Sequence, residues 1–196
     1  MLNNSLNQFK KNMQSARDLE TIYIALERMT TQGVPKSEIL RAEFVALVSA
    51  LDTYIHDIVR ESLKYMYNKT ISNEYLTNFV KKNSITNEIL LELKIIEIHG
   101  YKTYQAPKKI TEILSKIEIK FEWKDIIIQL PDIEDRLKLI IERRNKIAHE
   151  SDINQINGLG EKFQIDISTI KHVVDTIEKI VDSLNTIIIT KIQSLS

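Results

Sequence analysis

The chain has 196 residues, 43% of them hydrophobic, and its 27 Lys and Arg are matched by 27 Asp and Glu. That is enough apolar side chain for one domain with a real core. The balanced charge excludes polyanion binding by bulk electrostatics, so any polyanion needs a local basic site.

Cysteine is absent, which removes disulfides, thiolate metal sites and a cysteine nucleophile and fits a reducing, cytoplasmic setting. The four histidines, His56, His99, His149 and His172, are far apart in sequence. No HExxH pair or acidic metal loop can be drawn, so neither a metal nor another cofactor is expected. The first ten residues lack the apolar core of a signal peptide. The longest apolar runs, 126–128 and 187–189, fall far short of the roughly 18–20 residues of a membrane span. A soluble protein with no membrane contact is expected.

Four Gly and three Pro fall where helices should break. From Leu6, apolar residues at Phe9, Met13, Ala16, Ile22, Leu26 and Met29 are spaced for one helical face, ended by Gln32-Gly33-Val34-Pro35. Ser37 suits an N-cap for a second helix. Its i, i+3/i+4 pattern runs to about Tyr67, about 45 Å at 1.5 Å per residue. Short helices follow at 72–80 and 86–99, the latter stopped by Gly100, and 101–106 is a connector. Pro107 suits the first turn of a helix bearing Ile110, Ile113, Leu114 and Ile117. Phe121, Trp123 and 126–130 form an apolar segment whose β-branched residues also fit a strand, but the helical flanks favour helix. Pro131-Asp132 breaks and caps the next helix, Ile133 through Ile141, which delivers Arg144 and His149 at its end. Residues 151–166, with Gly158 and Gly160, read as an exposed loop or hairpin, and a last helix runs from about Ser168 to Ile192. No repeat or low-complexity linker divides the chain. The fold expected is all-α: a single domain over 1–196, a bundle of about seven or eight helices with two long core helices.

The densest chemistry lies in RRNKIAHESD, residues 143–152. Arg144-Asn145-Lys146-Ile147-Ala148-His149 fits the Arg, four to six residues, His motif of the HEPN superfamily, with a polar residue after Arg. RAEFVALVSALDTYIHDIVRE at 41–61, YQAPKKI at 104–110 and Trp123 fall in the order seen in one branch of it. Over about residues 37–190 the chain resembles RiboL-PSP-HEPN proteins. The resemblance implies a HEPN-type helical bundle and a homodimer. It further implies metal-independent endoribonuclease activity on an RNA substrate in a toxin or anti-phage defence setting, with an antitoxin or defence partner protein. Some HEPN toxins carry a tyrosine two residues after the motif histidine, the target of a partner nucleotidyltransferase; this chain has Ser151 there.

Metal-free RNA cleavage needs activation of the 2′-OH, stabilisation of the phosphorane and protonation of the 5′-oxygen. Imidazole, with an unperturbed pKa of about 6.5, suits the proton transfers, and a guanidinium grips two phosphate oxygens at once. Arg144 and His149 are therefore the candidate catalytic pair. Asn145 can orient the imidazole or a phosphate oxygen, and Arg143 reads as a solvated or phosphate-steering side chain. Lys146 and Glu150 read as exposed helix charges at the edge of the site, with a supporting role open to Glu150. Asp152 reads as a capping or loop residue. At about 100° per residue, Arg144 and His149 sit roughly 140° apart on an ideal helix, whereas Asn145 and His149 share a face. Either the helix ends before His149, or two copies meet across a two-fold axis and build a composite site. The plain alternative is a cationic helix C-terminus complementing the helix dipole, worth about 0.3–1 kcal/mol, in a non-catalytic RNA-binding or protein-assembly module.

Asp52, His56 and Arg60 share one stripe of the long helix. They read as a hydrogen-bonded structural network or as a polar stripe lining the cleft against the motif helix. His99 reads as a helix C-cap and His172 as a surface residue. Tyr101 and Tyr104 read as connector packing, with base stacking the alternative.

Overall fold

The computed structural model describes residues 3–29, 35–126, 132–154 and 160–195, and of Asp125 the backbone alone. The expected breaks at Gln32-Gly33-Val34 and Pro131, the apolar residues 127–130 and Gly158 lie outside the described residues. Among those described there are eight helices: α1 Asn4–Met29, α2 Ser37–Asn68, α3 Glu74–Lys82, α4 Glu88–His99, α5 Pro107–Lys116, α6 Trp123–Ile126, α7 Ile133–Glu150 and α8 Ile167–Ser194. No strand forms among them. The all-α expectation holds, and the 121–126 segment resolves to one helical turn pinned to α5 by Trp123 Nε1 donating to Thr111 Oγ1 at 3.1 Å.

Helix α2 is the axis of the bundle and touches α1, α8, α4, α7 and α5. Its Leu40, Phe44, Leu47, Val48, Leu51, Ile55, Ile58 and Leu63 are buried. These buried residues spread around more than one face of α2, as a central helix requires. Ser5 lies beside Glu61 near one end of α2 while Arg17 and Glu20 face Glu43 near the other, so α1 runs antiparallel to α2. Tyr54 joins three helices: its ring meets Phe9 edge-on with centroids 5.8 Å apart, and its hydroxyl donates to Asn185 Oδ1 of α8 at 3.2 Å. Arg17 adds an ion pair to Glu178 of α8 at 2.6 Å.

Local stop and start signals are mostly side-chain amides and carboxylates. Asn73, Asn87 and Asp166 accept from the backbone N–H three residues on, at 2.8, 2.9 and 2.7 Å, which satisfies an N–H that the first turn leaves free. Ser37 is not the cap expected of it. Lys36 holds that position without a side-chain cap bond, and the Ser37 hydroxyl accepts from Arg41 at 2.9 Å. Asp132 stands at the N-cap of α7 but accepts from Arg136 at 2.8 Å instead.

The single apolar face expected of α1 ends at Ala16. Ile22 and Met29 are 49% and 81% exposed, because the i+3/i+4 spacing breaks after Ala16 and carries them roughly 140° around from Phe9. Helix α4 likewise has two stripes: Leu91, Ile95 and His99 face inward, while Ile89, Leu93 and Ile96 face solvent.

Glu43 is buried on α2, and neither carboxylate oxygen has a hydrogen-bond partner. Burial, reinforced by the charge of Glu20 and opposed by Arg17, pushes its pKa up to about 7. The folded state therefore binds this proton more tightly than the unfolded chain does. The stability it confers is full below about pH 4.5 and is lost as pH rises through 7, by about 3 kcal/mol at most. Glu43→Gln is expected to match the parent in urea unfolding at pH 4.5 and to exceed it by about 1–3 kcal/mol at pH 8.

Candidate functional site

Helix α7 packs through Ile133, Leu137, Ile140 and Ile141, all buried. Arg144 continues that stripe at i+4 and i+3, where the bundle thins out. Its stem is drawn inward and its head emerges. Arg144 is half-buried: Nε is out of solvent and has no hydrogen-bond partner, and an Nη donates to Asn145 Oδ1 at 3.2 Å. In this chain Asn145 bonds the guanidinium; it makes no bond to the His149 imidazole among the described residues.

The helix does not end before His149. It continues to Glu150, where Ser151 takes a left-handed φ of 55° and stops it. Arg144 and His149 therefore stay roughly 140° apart on one regular helix. His149 and Glu150 are exposed, and neither side chain makes a hydrogen bond or ion pair among the described residues. One copy of α7 presents an oriented guanidinium and a free imidazole that do not converge.

A clamp fixes this end of the helix. Asp152, wholly buried and also left-handed with φ 57°, sits between two guanidiniums. Arg41 Nε donates to its Oδ2 at 3.0 Å, and Arg143 reaches the same oxygen at 2.9 Å while its Nε lies 2.8 Å from Oδ1. Arg41 also donates to the Phe163 carbonyl at 2.6 Å and Arg143 to that of Gln164 at 3.0 Å. The Phe163 ring lies beneath Arg143 and Lys146, at 5.1 and 5.2 Å from centroid to cation. Residues 160–166 come back against the end of α7 to supply these carbonyls, with an antiparallel bridge between Ile153 and Lys162. Arg143, read as a solvated or phosphate-steering side chain, is ion-paired rather than solvated, and Asp152, read as a capping or loop residue, is wholly buried where it anchors the motif end.

Asp52, His56 and Arg60 do not line this end. Arg41 marks the level of the motif on α2, and these three lie about 16–28 Å farther along at 1.5 Å per residue. They face α4 and the 101–106 connector, each with its own partner. Asp52 accepts from the Tyr104 N–H, the His56 Nε2 pairs with the Lys102 carbonyl at 2.9 Å, and Arg60 donates to Asp57 at 2.7 Å. The three side chains are bonded separately rather than to one another as one network.

Sequence reading missed the environment of His99. It is buried between the hydroxyls of Tyr75 (2.8 Å to Nε2) and Tyr104 (2.7 Å to Nδ1), not capping a helix at the surface. Burial, with Lys102 nearby, pushes its pKa down to about 4, so one ring nitrogen donates and the other accepts, as the tautomer dictates. Tyr104 is spent in the same contact, whereas Tyr101 is 94% exposed. His172 is exposed as expected.

Breaking a buried pair leaves a charge uncompensated. Asp152→Ala strands two guanidiniums and is expected to cost about 3–5 kcal/mol in urea unfolding. Glu150→Ala, two residues away and exposed, is expected to stay within about 0.5 kcal/mol of the parent.

The RiboL-PSP-HEPN family model matches residues 10–190. The match begins in α1, earlier than the blocks at 41–61, 104–110 and 143–152 require. Searches of curated proteins and of solved structures return no significant match. HEPN domains commonly dimerise, bind RNA and serve RNA-related functions. With the family match covering nearly the whole helical bundle and the Arg144–His149 motif at the end of α7, the chain belongs to the RiboL-PSP-HEPN family.

Proposed function

We propose that the protein is a metal-independent endoribonuclease, a single HEPN-like domain whose reactive site forms when two copies of α7 meet across a homodimer axis. The observation that carries this is the unbroken run of α7 to Glu150. It holds Arg144 and His149 on different faces, so one chain offers each group without joining them. A two-fold axis brings two guanidiniums and two imidazoles into one cleft.

In that cleft one His149 takes the proton of the 2′-OH. The 2′-oxygen attacks phosphorus, and the two Arg144 side chains hold the non-bridging oxygens as charge builds on them. The other His149 gives its proton to the departing 5′-oxygen, leaving a 2′,3′-cyclic phosphate and a 5′-hydroxyl. Asn145, bonded to Arg144, orients the guanidinium, and Lys146 and Glu150 border the cleft. Arg143 acts on RNA only through the geometry that its pair with Asp152 imposes. A toxin or anti-phage defence setting, in the cytoplasm and with a protein antitoxin or defence partner, fits this activity. Ser151 offers no phenol two residues after His149 for a tyrosine-modifying partner.

The clamp supports a second reading from another class. If the basic residues of the motif serve mainly to set the shape of the α7 end, the protein is a non-catalytic HEPN module that binds RNA or assembles with protein. The two readings separate on purified protein incubated with total RNA in EDTA. The nuclease reading expects cleavage to 2′,3′-cyclic phosphate ends, falling about 10²–10⁴-fold in Arg144→Ala and His149→Ala while helicity and dimer mass are unchanged. Intact RNA with the dimer retained favours the module. Loss of cleavage in EDTA would sink the metal-free mechanism, and cleavage unchanged in both variants would remove the catalytic assignment.

A further inference from the structure

Helix α4 carries an exposed apolar line. Ile89, Leu93 and Ile96 are 74%, 58% and 48% exposed, and with Gly100 they fall at i, i+4, i+7 and i+11. On a regular helix these positions lie within about 60° of one another, over a rise of about 16 Å. The three side chains present on the order of 350 Å² of apolar surface, the size of patch that on a single chain is often functional.

The line passes a cavity. Ile96 and Gly100 also lie on the wall of a space of about 220 Å³ between α2 and α4, opposite Thr53, His56 and Arg60. Thr53, Ile96 and Gly100 are exposed, so the cavity opens beside the line. A space of about 150 Å³ holds a benzene ring, and this one admits a single aromatic side chain. On its wall the His56 Nε2 meets the Lys102 carbonyl at 2.9 Å. A carbonyl only accepts, so in the neutral ring Nε2 carries the hydrogen and Nδ1 is an acceptor, without a partner among the described residues. An indole or a phenol buries its ring and brings a donor for such an acceptor; an alkyl side chain brings none.

Charge and area decide what fits this face. Its flanks cancel: Lys64 pairs with Glu88 and Glu92 at 3.1 and 2.7 Å, and Lys94 with Glu97 at 2.6 Å. An RNA strand or an anionic membrane calls for an excess of cations that the line lacks. A second copy, laid antiparallel about a two-fold, sets Leu93 against Ile96 and Ile89 against Gly100. That pairing buries on the order of 700 Å² in total, short of the roughly 1,000 Å² of a specific interface. It also brings only Ile89 to each cavity, a side chain smaller than the ring the space holds. A separate helix with its own aromatic residue adds about 150–250 Å² of buried ring, in a pocket of the kind where interface energy concentrates.

We propose that the outer face of α4 docks one amphipathic helix of a partner protein. Its apolar residues, spaced i, i+4 and i+7, lie along Ile89, Leu93 and Ile96, and a tryptophan or tyrosine is anchored in the adjoining cavity. His56, on the cavity wall, is about 22 Å along α2 from Arg41 at the level of the α7 motif, and the proposal does not rest on the nuclease reading.

The test uses the full chain and two fluorescent peptides of about 20 residues on an alanine, glutamate and lysine background. Each has leucines at i, i+4 and i+7, with a tryptophan one turn after them in one peptide and one turn before them in the other, for the two directions in which a helix can lie. Scrambled peptides of the same composition are the controls. Anisotropy is expected to show saturable binding of at least one patterned peptide and of neither control. Leu93→Glu on the line, Thr53→Trp to fill the cavity, and alanine for the peptide's tryptophan should each weaken it about tenfold or more. Thr53 and Leu93 are exposed, so both variants should keep the helicity of the parent, and Arg144→Ala should bind as the parent does. The proposal is overturned if neither patterned peptide binds, if the controls bind equally, or if either α2 or α4 variant binds as the parent does. Weakening in Arg144→Ala or displacement of the peptide by total RNA also overturns it. Sedimentation tests the remaining occupant: a lower mass in Leu93→Glu than in the parent assigns the face to a second copy and overturns the proposal.

Discussion

One wholly buried carboxylate, Asp152, sets the shape of the functional end of this bundle. Taking a carboxylate out of water costs several kcal/mol, repaid only when its charge and lone pairs are met in good geometry. Here that requires Arg41 from the first turns of α2, Arg143 from α7, and the carbonyls of Phe163 and Gln164 placed to accept from one Nη of each guanidinium. It also requires two successive non-glycine residues, Ser151 and Asp152, in left-handed conformation, each costing about 1–2 kcal/mol. So many conditions on one ion leave the end of α7 a single arrangement. The separation of Arg144 and His149 is set by the regular helix before it.

The rest of the bundle divides along α2. Its N-terminal end carries the clamp and the motif helix, and its middle and C-terminal end carry α4 and the connector. Net charge conceals this division, because Lys and Arg are spent unevenly. Arg17, Lys36, Arg41, Arg60, Lys64 and Arg143 each have a carboxylate partner across helices or along one. Among the described residues Lys102 and Lys116 have none. A balanced total therefore coexists with places where an anion would meet unneutralised cations.

What could be read from sequence follows from how local each signal is. The periodicity of α2 located its end to within a residue of Asn68, and the start of α8 near Ser168 was visible because helical spacing is a property of neighbours in the chain, whereas the end of α7 stayed open. The α1 face was misread past Ala16 because Ile22, Leu26 and Met29 keep helical spacing among themselves while rotated away from the core. Ser37 and Asp132 looked like caps by type, yet nearby arginines claim their oxygens. Asp152 and His99 were the largest misses. A buried carboxylate and a buried imidazole have the same local sequence as exposed ones, and only partners such as Arg41, Tyr75 and Tyr104 distinguish them. The Arg144–His149 motif was legible as a pattern, and its angular spread followed from helix geometry alone.

The clamp also has a consequence for the order in which the protein is made. Arg41 and Asp152 are 111 positions apart, and Arg41 and Phe163 are 122 apart. Chains emerge N-terminus first at about 5–20 residues per second, so α2 waits seconds for the residues that close the ion pair. Until Phe163 and Gln164 are clear of the ribosome, the end of α7 lacks the contacts that hold it. For a chain whose proposed target is RNA, late closure delays the assembled motif until more than a hundred residues after Arg41 have been made.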